Sequence, residues 1–165
     1  MRSGITNEFR IIECVDDNAI FATFSVMKQL RSVEESTYIS TIRQLMSEGY
    51  HLIACLDLNN VCRGIIGYNV CHRLHVGKMI YVADLVVDDK HRSCGYGKKL
   101  LDWVKTESIR INCNAITLDS GVQRASAHKF YFNNDFEITS YNFKFFNPRP
   151  KSQISIDTSN ITAKP

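Results

Sequence analysis

The chain has 165 residues, 44% of them hydrophobic and 22% charged, which fits one ordinary globular domain, and a second catalytic one is not expected. A net charge of +3 is too small to point by itself to nucleic acid or an anionic membrane. No apolar run approaches a membrane span and Met1-Arg2-Ser3-Gly4-Ile5-Thr6 lacks the apolar core of a secretory signal, so the expected location is cytoplasmic.

Phe9 to Cys14 is a short apolar run suited to a first strand, and Asp16 or Asp17 offers an N-cap for a helix to about Leu30, with Ile20, Phe24 and Met27 on one face. Ser36 to Glu48 again has helical spacing through Ile39, Ile42, Leu45 and Met46, and Gly49 stops it. His51 to Asp57 and Val61 to Arg73 are rich in β-formers and flank Leu58-Asn59-Asn60, which predicts an antiparallel hairpin. After the basic loop His72 to Lys78, Met79 to Val87 reads as a fourth strand. The helix that follows runs to about Ile111, with Leu100, Leu101, Val104 and Ser108 inward and Lys98, Lys99, Asp102 and Lys105 outward. Ala115 to Leu118 is a fifth strand, Gln123 to Phe132 a further helix, and Phe136 to Phe146 alternates apolar residues into a last strand. Beyond Pro148 the tail is polar, with Gln153 to Ile156 able to add an edge strand. The expected plan is mixed α/β, in the order β-α-α-β-β-β-α-β-α-β.

The segment joining the fourth strand to its helix, Arg92-Ser93-Cys94-Gly95-Tyr96-Gly97-Lys98, carries the clearest chemistry. Two glycines let the backbone adopt turns closed to other residues and aim successive N–H groups into one concavity at a helix N-terminus, a natural seat for anionic oxygens. It is not a dinucleotide fingerprint, because position 100 is Leu where a third glycine would stand, nor a phosphate loop of the kinase type. A tight turn without a ligand, or a nucleotide seat, would use the same residues.

Six cysteines, at 14, 55, 62, 71, 94 and 113, form no Cys-x-x-Cys pair and mostly fall within strands, where a reduced thiol behaves as a small hydrophobe. Cys94, near a helix N-terminus, is a candidate reactive thiol. His72 and His75 lack neighbours that complete a ligand set, so no metal is expected.

The element order, the Arg92-Ser93-Cys94-Gly95-Tyr96-Gly97 loop after Leu85-Val86-Val87, and Phe130-Tyr131 followed by Asp135-Phe136 together resemble the GNAT superfamily of acyl-CoA-dependent N-acyltransferases. The resemblance spans residues 8 to 146, leaving 147 to 165 as a tail. It satisfies every specified position of the family's Gln/Arg-x-x-Gly-x-Gly/Ala motif. It implies acetyl-CoA as co-substrate, with its pyrophosphate on the N–H groups of residues 93 to 98 beside Arg92, and its pantetheine arm along the backbone edge of Leu85 to Val87.

By the same resemblance Tyr131 matches the proton donor to the departing sulfur. Asp84, beside the expected thioester, is the candidate base, although the family often places its acid one position earlier, at Ala83 here. An Asn frequent before the fourth helix is replaced by Arg124. Tyr131 and Asp84 also have purely structural readings, as a half-buried helix tyrosine and a backbone-capping carboxylate. His128 is a second proton-transfer candidate.

The implied activity is transfer of an acetyl group to a primary amine by direct attack. The alternatives are a non-catalytic acyl-CoA-binding or regulatory module and, last, a nucleotide-binding protein. A small molecule or peptide would supply the amine to a monomer or homodimer. The Leu30 to Ser36 connection, the His72 to Lys78 loop and the C-terminal strand are expected to shape the acceptor site. Within these, His72, Arg73, His75 and Lys78 are candidates for its rim, and Glu34 and Glu35 hint at a cationic acceptor.

Overall fold

The computed structural model describes residues 9–148. The N-terminal stretch Met1 to Thr6 and the possible edge strand Gln153 to Ile156 lie outside those residues.

Phe9 to Cys14 narrows to strand β1 (Arg10–Glu13). Asp16 then caps helix α1 (Asp17–Ala22), its side chain accepting the Ala19 N–H at 2.9 Å, a contact that contributes about 1 kcal/mol. The single helix expected to Leu30 is broken at Thr23 and resumes as α2 (Phe24–Met27). The buried Thr23 hydroxyl donates to the Ile20 carbonyl at 2.6 Å and lies 2.8 Å from the Tyr38 hydroxyl, the kind of back-bonding that bends a helix. Helix α3 (Glu35–Ser47) ends as expected at Gly49, which takes a positive φ of 91°.

Strands β2 (Tyr50–Leu56) and β3 (Cys62–Arg73) form the expected hairpin. Asn60 supplies the left-handed residue of its turn, and Asp57 accepts the N–H groups of Asn59 and Val61. Strand β4 (Gly77–Val87), a short 3₁₀ turn (Asp89–His91), helix α4 (Tyr96–Arg110), strand β5 (Ala115–Leu118) and helix α5 (Ala125–Phe132) follow. The sheet order is β1-β2-β3-β4-β5, with three antiparallel pairings and a parallel β4–β5 pair. With α1 and α2 counted as one bent helix, four helical segments flank five strands.

Two cores sandwich the sheet. One gathers Ile20, Val26, Tyr38, Ile42, Leu52 and Ile65 beneath α1–α3. The other gathers Ile53, Ile66, Ile80, Leu100, Leu101 and Val104 beneath α4, with Phe130 and Tyr131 of α5 packed on its border. Leu100, Leu101, Val104 and Ser108 are all buried, as the helical spacing predicts.

The last strand is a correction. Phe136 to Phe146 pairs with no strand among the described residues, and Tyr141, Phe143 and Phe145 are 83%, 93% and 84% exposed. Alternation makes one apolar face, but a strand also needs a backbone edge to pair with and a layer to bury that face. The segment touches the end of β5 only by side chain, where Asn142 Nδ2 donates to Asp119 Oδ2 at 2.9 Å.

Candidate active site

The site grows from an irregularity in β4. Gly67 of β3 pairs with Asp84, but the next residue, Tyr68, pairs with Val82, so Ala83 is an extra residue bulged from the ladder. One inserted residue reverses the alternation of faces. Ile80 and Val82 pack into the core beneath α4, whereas Val86 packs into the core beneath α1–α3 and Leu85 and Val87 return to the α4 side. Without the bulge Asp84 would face α4; with it, Asp84 faces α1–α3.

At the same point β4 loses its other neighbour. The parallel pairing with β5 runs from Met79↔Ala115 to Val82↔Leu118 and ends there. Tyr81 donates from its hydroxyl to Asp119 Oδ2 at 2.9 Å, pinning the strands just where they part. From Ala83 to Val87 the β5-side edge of β4 has no strand partner among the described residues, while Asp84 to Val87 stay paired with β3 on the other edge. Leu85, Val86 and Val87 thus present backbone donors and acceptors as an unpaired strand edge leading toward the Arg92–Lys98 loop.

Asp84 is buried and both its oxygens are engaged. Arg31 Nε donates to Oδ1 at 2.7 Å and the Tyr50 hydroxyl to Oδ2 at 2.8 Å. A further Arg31 nitrogen donates to the Ala83 carbonyl at 2.8 Å, at the first unpaired position of the strand. Burial above all, then the charge of Asp84, pushes the Tyr50 phenol up, so it remains a donor. These groups border a cleft of about 270 Å³ between α2, the connection after it and α3, walled mainly by Met27, Val33, Ile42 and Leu45. Glu34 and Glu35 are exposed and do not line it.

The Arg92–Lys98 loop is anchored before it turns. Asp88 accepts Gln29 Nε2 at 3.2 Å, lies 2.8 Å from His91 Nδ1 and 3.4 Å from Arg63 Nη1, while the Asp89 N–H donates to Gln29 Oε1 at 2.9 Å. The Gln29 hydrogen bond comes first among the causes that hold the Asp88 carboxyl below the usual carboxylate range. Ser93 and Gly95 then take positive φ values of 61° and 93°, the left-handed turns that fold successive N–H groups toward one side.

The first intrahelical bond of α4 runs from Lys99 to Gly95, so the N–H groups of Tyr96, Gly97 and Lys98 have no intrahelical acceptor. Arg92 is exposed and paired with Asp89, and Cys94 is exposed. The Tyr96 side chain is buried against Phe9, ring centroids 4.6 Å apart, and Lys98 pairs with Asp102 at 2.9 Å. At Gly97 a Cβ would come within 3.2 Å of the Phe130 ring, so this glycine also lets α4 approach α5.

Tyr131 lies at the border of the core beneath α4, its ring centroid 5.6 Å from that of Phe130 and 5.9 Å from that of Phe136. Burial pushes its phenol up and Arg124 draws it partly back, which keeps the proton on oxygen at neutral pH. Asp84 and Tyr131 belong to opposite faces of the sheet. His128 Nε2 is 2.9 Å from the Gly121 carbonyl, a contact from α5 back to the turn before it.

The His72 to Lys78 loop is not part of this constellation. It closes the β3–β4 hairpin at the end of β4 opposite the Arg92–Lys98 loop, and the six steps from Lys78 to Asp84 span about 20 Å of strand. Lys78 instead donates to the Ile111 carbonyl at 2.6 Å.

The GNAT acetyltransferase family model matches residues 19–136. The chain belongs to the GNAT acetyltransferase family. It is 31% identical over 124 residues to an uncharacterized N-acetyltransferase, YhdJ, of Bacillus subtilis, covering 74% of this chain and 87% of that one. An aminoglycoside N-acetyltransferase, AAC(6')-Iy, in complex with CoA shares the fold at a TM-score of 0.74 and 15% identity, covering 87% of this chain and 97% of that one. A transcriptional regulator from Bacillus halodurans C-125 does so at 0.73 and 16%, covering 85% and 100%.

In this GNAT domain the sequence reading missed three residues around Asp84. Tyr50 and Gly67 stand on strands far from it in the chain, and Arg31 lies in the connection that was expected only to shape the acceptor site. Tyr50 opens a strand that is apolar from Leu52 onward, but only the sheet order shows that its hydroxyl crosses to β4.

Proposed function

We propose that this GNAT acetyltransferase transfers an acetyl group from acetyl-CoA to a primary amine by direct attack in a ternary complex. The observation that carries the reading is the continuous run from the open β4 edge, Ala83 to Val87, into a loop whose two left-handed residues turn free amides toward one concavity. An extended, amide-rich arm would pair with that edge as an added strand. A pyrophosphate would meet the N–H groups of residues 93 to 98 at a helix N-terminus, with Arg92 adding charge. When bound, acetyl-CoA supplies an activated carbonyl and a thiolate leaving group.

The chain's own groups then divide the proton work. Asp84 takes the proton that the acceptor nitrogen loses as it forms the new N–C bond, and Tyr131 gives one to the sulfur as the C–S bond breaks. One proton is taken and one given, so the reaction needs no other co-reactant. Because both oxygens of Asp84 already accept hydrogen bonds, one of its donors must yield before it can serve as a base.

Thermal unfolding with and without coenzyme A tests the binding part. A concentration-dependent rise in Tm supports it, and no shift at saturating concentration removes it. Thiol release with an amine panel separates an enzyme from a module that only binds acyl-CoA.

A further inference from the structure

The cleft beside Asp84 has a definite chemistry. Its walls are apolar, and two of its hydroxyls are already committed, Tyr38 to Thr23 and Tyr50 to Asp84. Its two charged groups, Arg31 and Asp84, compensate each other at 2.7 Å. A cleft neutral overall and walled by side chains such as Met27, Val33, Ile42 and Leu45 does not concentrate polycations, which need several anionic partners. It does favour the burial of alkyl or aryl surface. At about 270 Å³ it has room for a small alkyl or aryl group.

The Arg31 guanidinium holds two acceptors, Asp84 Oδ1 and the Ala83 carbonyl, at the bulge where the β4 edge opens. Both acceptors suit the N–H groups of an ammonium or amine equally well. The Arg31 side chain is 52% exposed whereas that of Asp84 is 11% exposed, so the guanidinium can swing into water once an incoming N–H donor takes over its place at the buried carboxylate.

We propose that the cleft receives the apolar body of the acceptor, a monoamine bearing one alkyl or aryl group of hexyl or phenylethyl size. Its nitrogen takes the place of the Arg31 guanidinium at Ala83 and Asp84. This assignment rests on the acetyl-transfer reading above and names the class of acceptor it serves. Diamines, polyamines and amino sugars lack the apolar body and carry charges that the cleft leaves unpaired.

The test is isothermal titration of hexylamine, phenylethylamine, putrescine and spermidine into the protein, alone and saturated with coenzyme A. Hexylamine and phenylethylamine should bind at least tenfold more tightly than putrescine or spermidine. Thr41→Trp, at an exposed position on α3 that lines the cleft, should weaken their binding at least tenfold while leaving coenzyme A affinity and the unfolding transition unchanged. Arg31→Gln, which removes the competing guanidinium, should tighten hexylamine binding severalfold.

Equal or tighter binding of the polyamines, or apolar-amine affinity indifferent to Thr41→Trp, would overturn the assignment. Weaker hexylamine binding by Arg31→Gln would overturn the shared seat. If coenzyme A binds and spermidine is acetylated, the acetyl-transfer reading stands and the cleft assignment falls. If coenzyme A fails to bind, the acetyl-transfer reading falls, and the titrations without it still decide the cleft.

Discussion

The Tyr50 hydroxyl reaches Asp84 by passing over Gly67, on the strand between them, and donates to the carboxylate at 2.8 Å. A Cβ at Gly67 would overlap the Tyr50 ring and hydroxyl. The glycine is therefore required by a side chain crossing it, and the ring cannot retreat easily, because Tyr50 is only 5% exposed. Gly67→Ala should destabilise the fold by about 1–3 kcal/mol through overpacking, measured by denaturant unfolding, and should lower turnover in whatever protein remains folded.

Tyr131→Phe keeps the ring packed against Phe130 and Phe136 and removes only the hydroxyl. Turnover should fall about 10²-fold, the scale of a lost general acid, with coenzyme A affinity unchanged in a direct titration. An unchanged rate would return Tyr131 to a packing role.

Gly95→Ala places a Cβ on a residue with φ of 93°, which costs about 1–2 kcal/mol and turns the amides of the loop. The Tm rise caused by coenzyme A should shrink far more than the intrinsic Tm falls. Equal losses in both would mean that the glycine shapes the helix start and nothing else.

Acid should act on the loop anchor. The hydrogen bond from Gln29, followed by those from the His91 side chain and the Lys90 backbone N–H, holds the Asp88 carboxyl below its usual value. The backbone hydrogen bond from Val61, followed by Arg63, does the same for Asp57. A carboxyl depressed in the folded state contributes its stability in full above its unfolded value near 3.9 and loses it as pH falls through the lower folded value. The Tm should hold from pH 7 to about 5 and drop steeply below about 4. Asp88→Asn should lower the Tm at pH 7 and flatten that drop, seen by calorimetry across the range.

Local features were legible in the sequence. The face of α4, with Leu100, Leu101, Val104 and Ser108 inward, follows from helical spacing, and the turns at Asn60 and Gly49 follow from the residues that tolerate positive φ. The turn from β4 into α4 through Gly95 could be read because its glycines, strand and helix are contiguous. The Ala83 bulge could not, because register depends on the partner strand, and with it went the face on which Asp84 projects. The Tyr50–Gly67–Asp84 contact joins residues 34 positions apart in the chain, and no short-range pattern encodes it. The last strand misled for the complementary reason: alternation from Phe136 to Phe146 is real, but no strand among the described residues pairs with it.

The most direct measurement of the central claim is thiol release from acetyl-CoA at saturating concentration, with and without a panel of monoamines, polyamines, amino acids and peptides. Amine-dependent release, matched by a product heavier by one acetyl group, is the expected result. Release that no amine raises above the background, despite a measurable coenzyme A complex, would contradict it and leave a protein that binds the acyl carrier without using it.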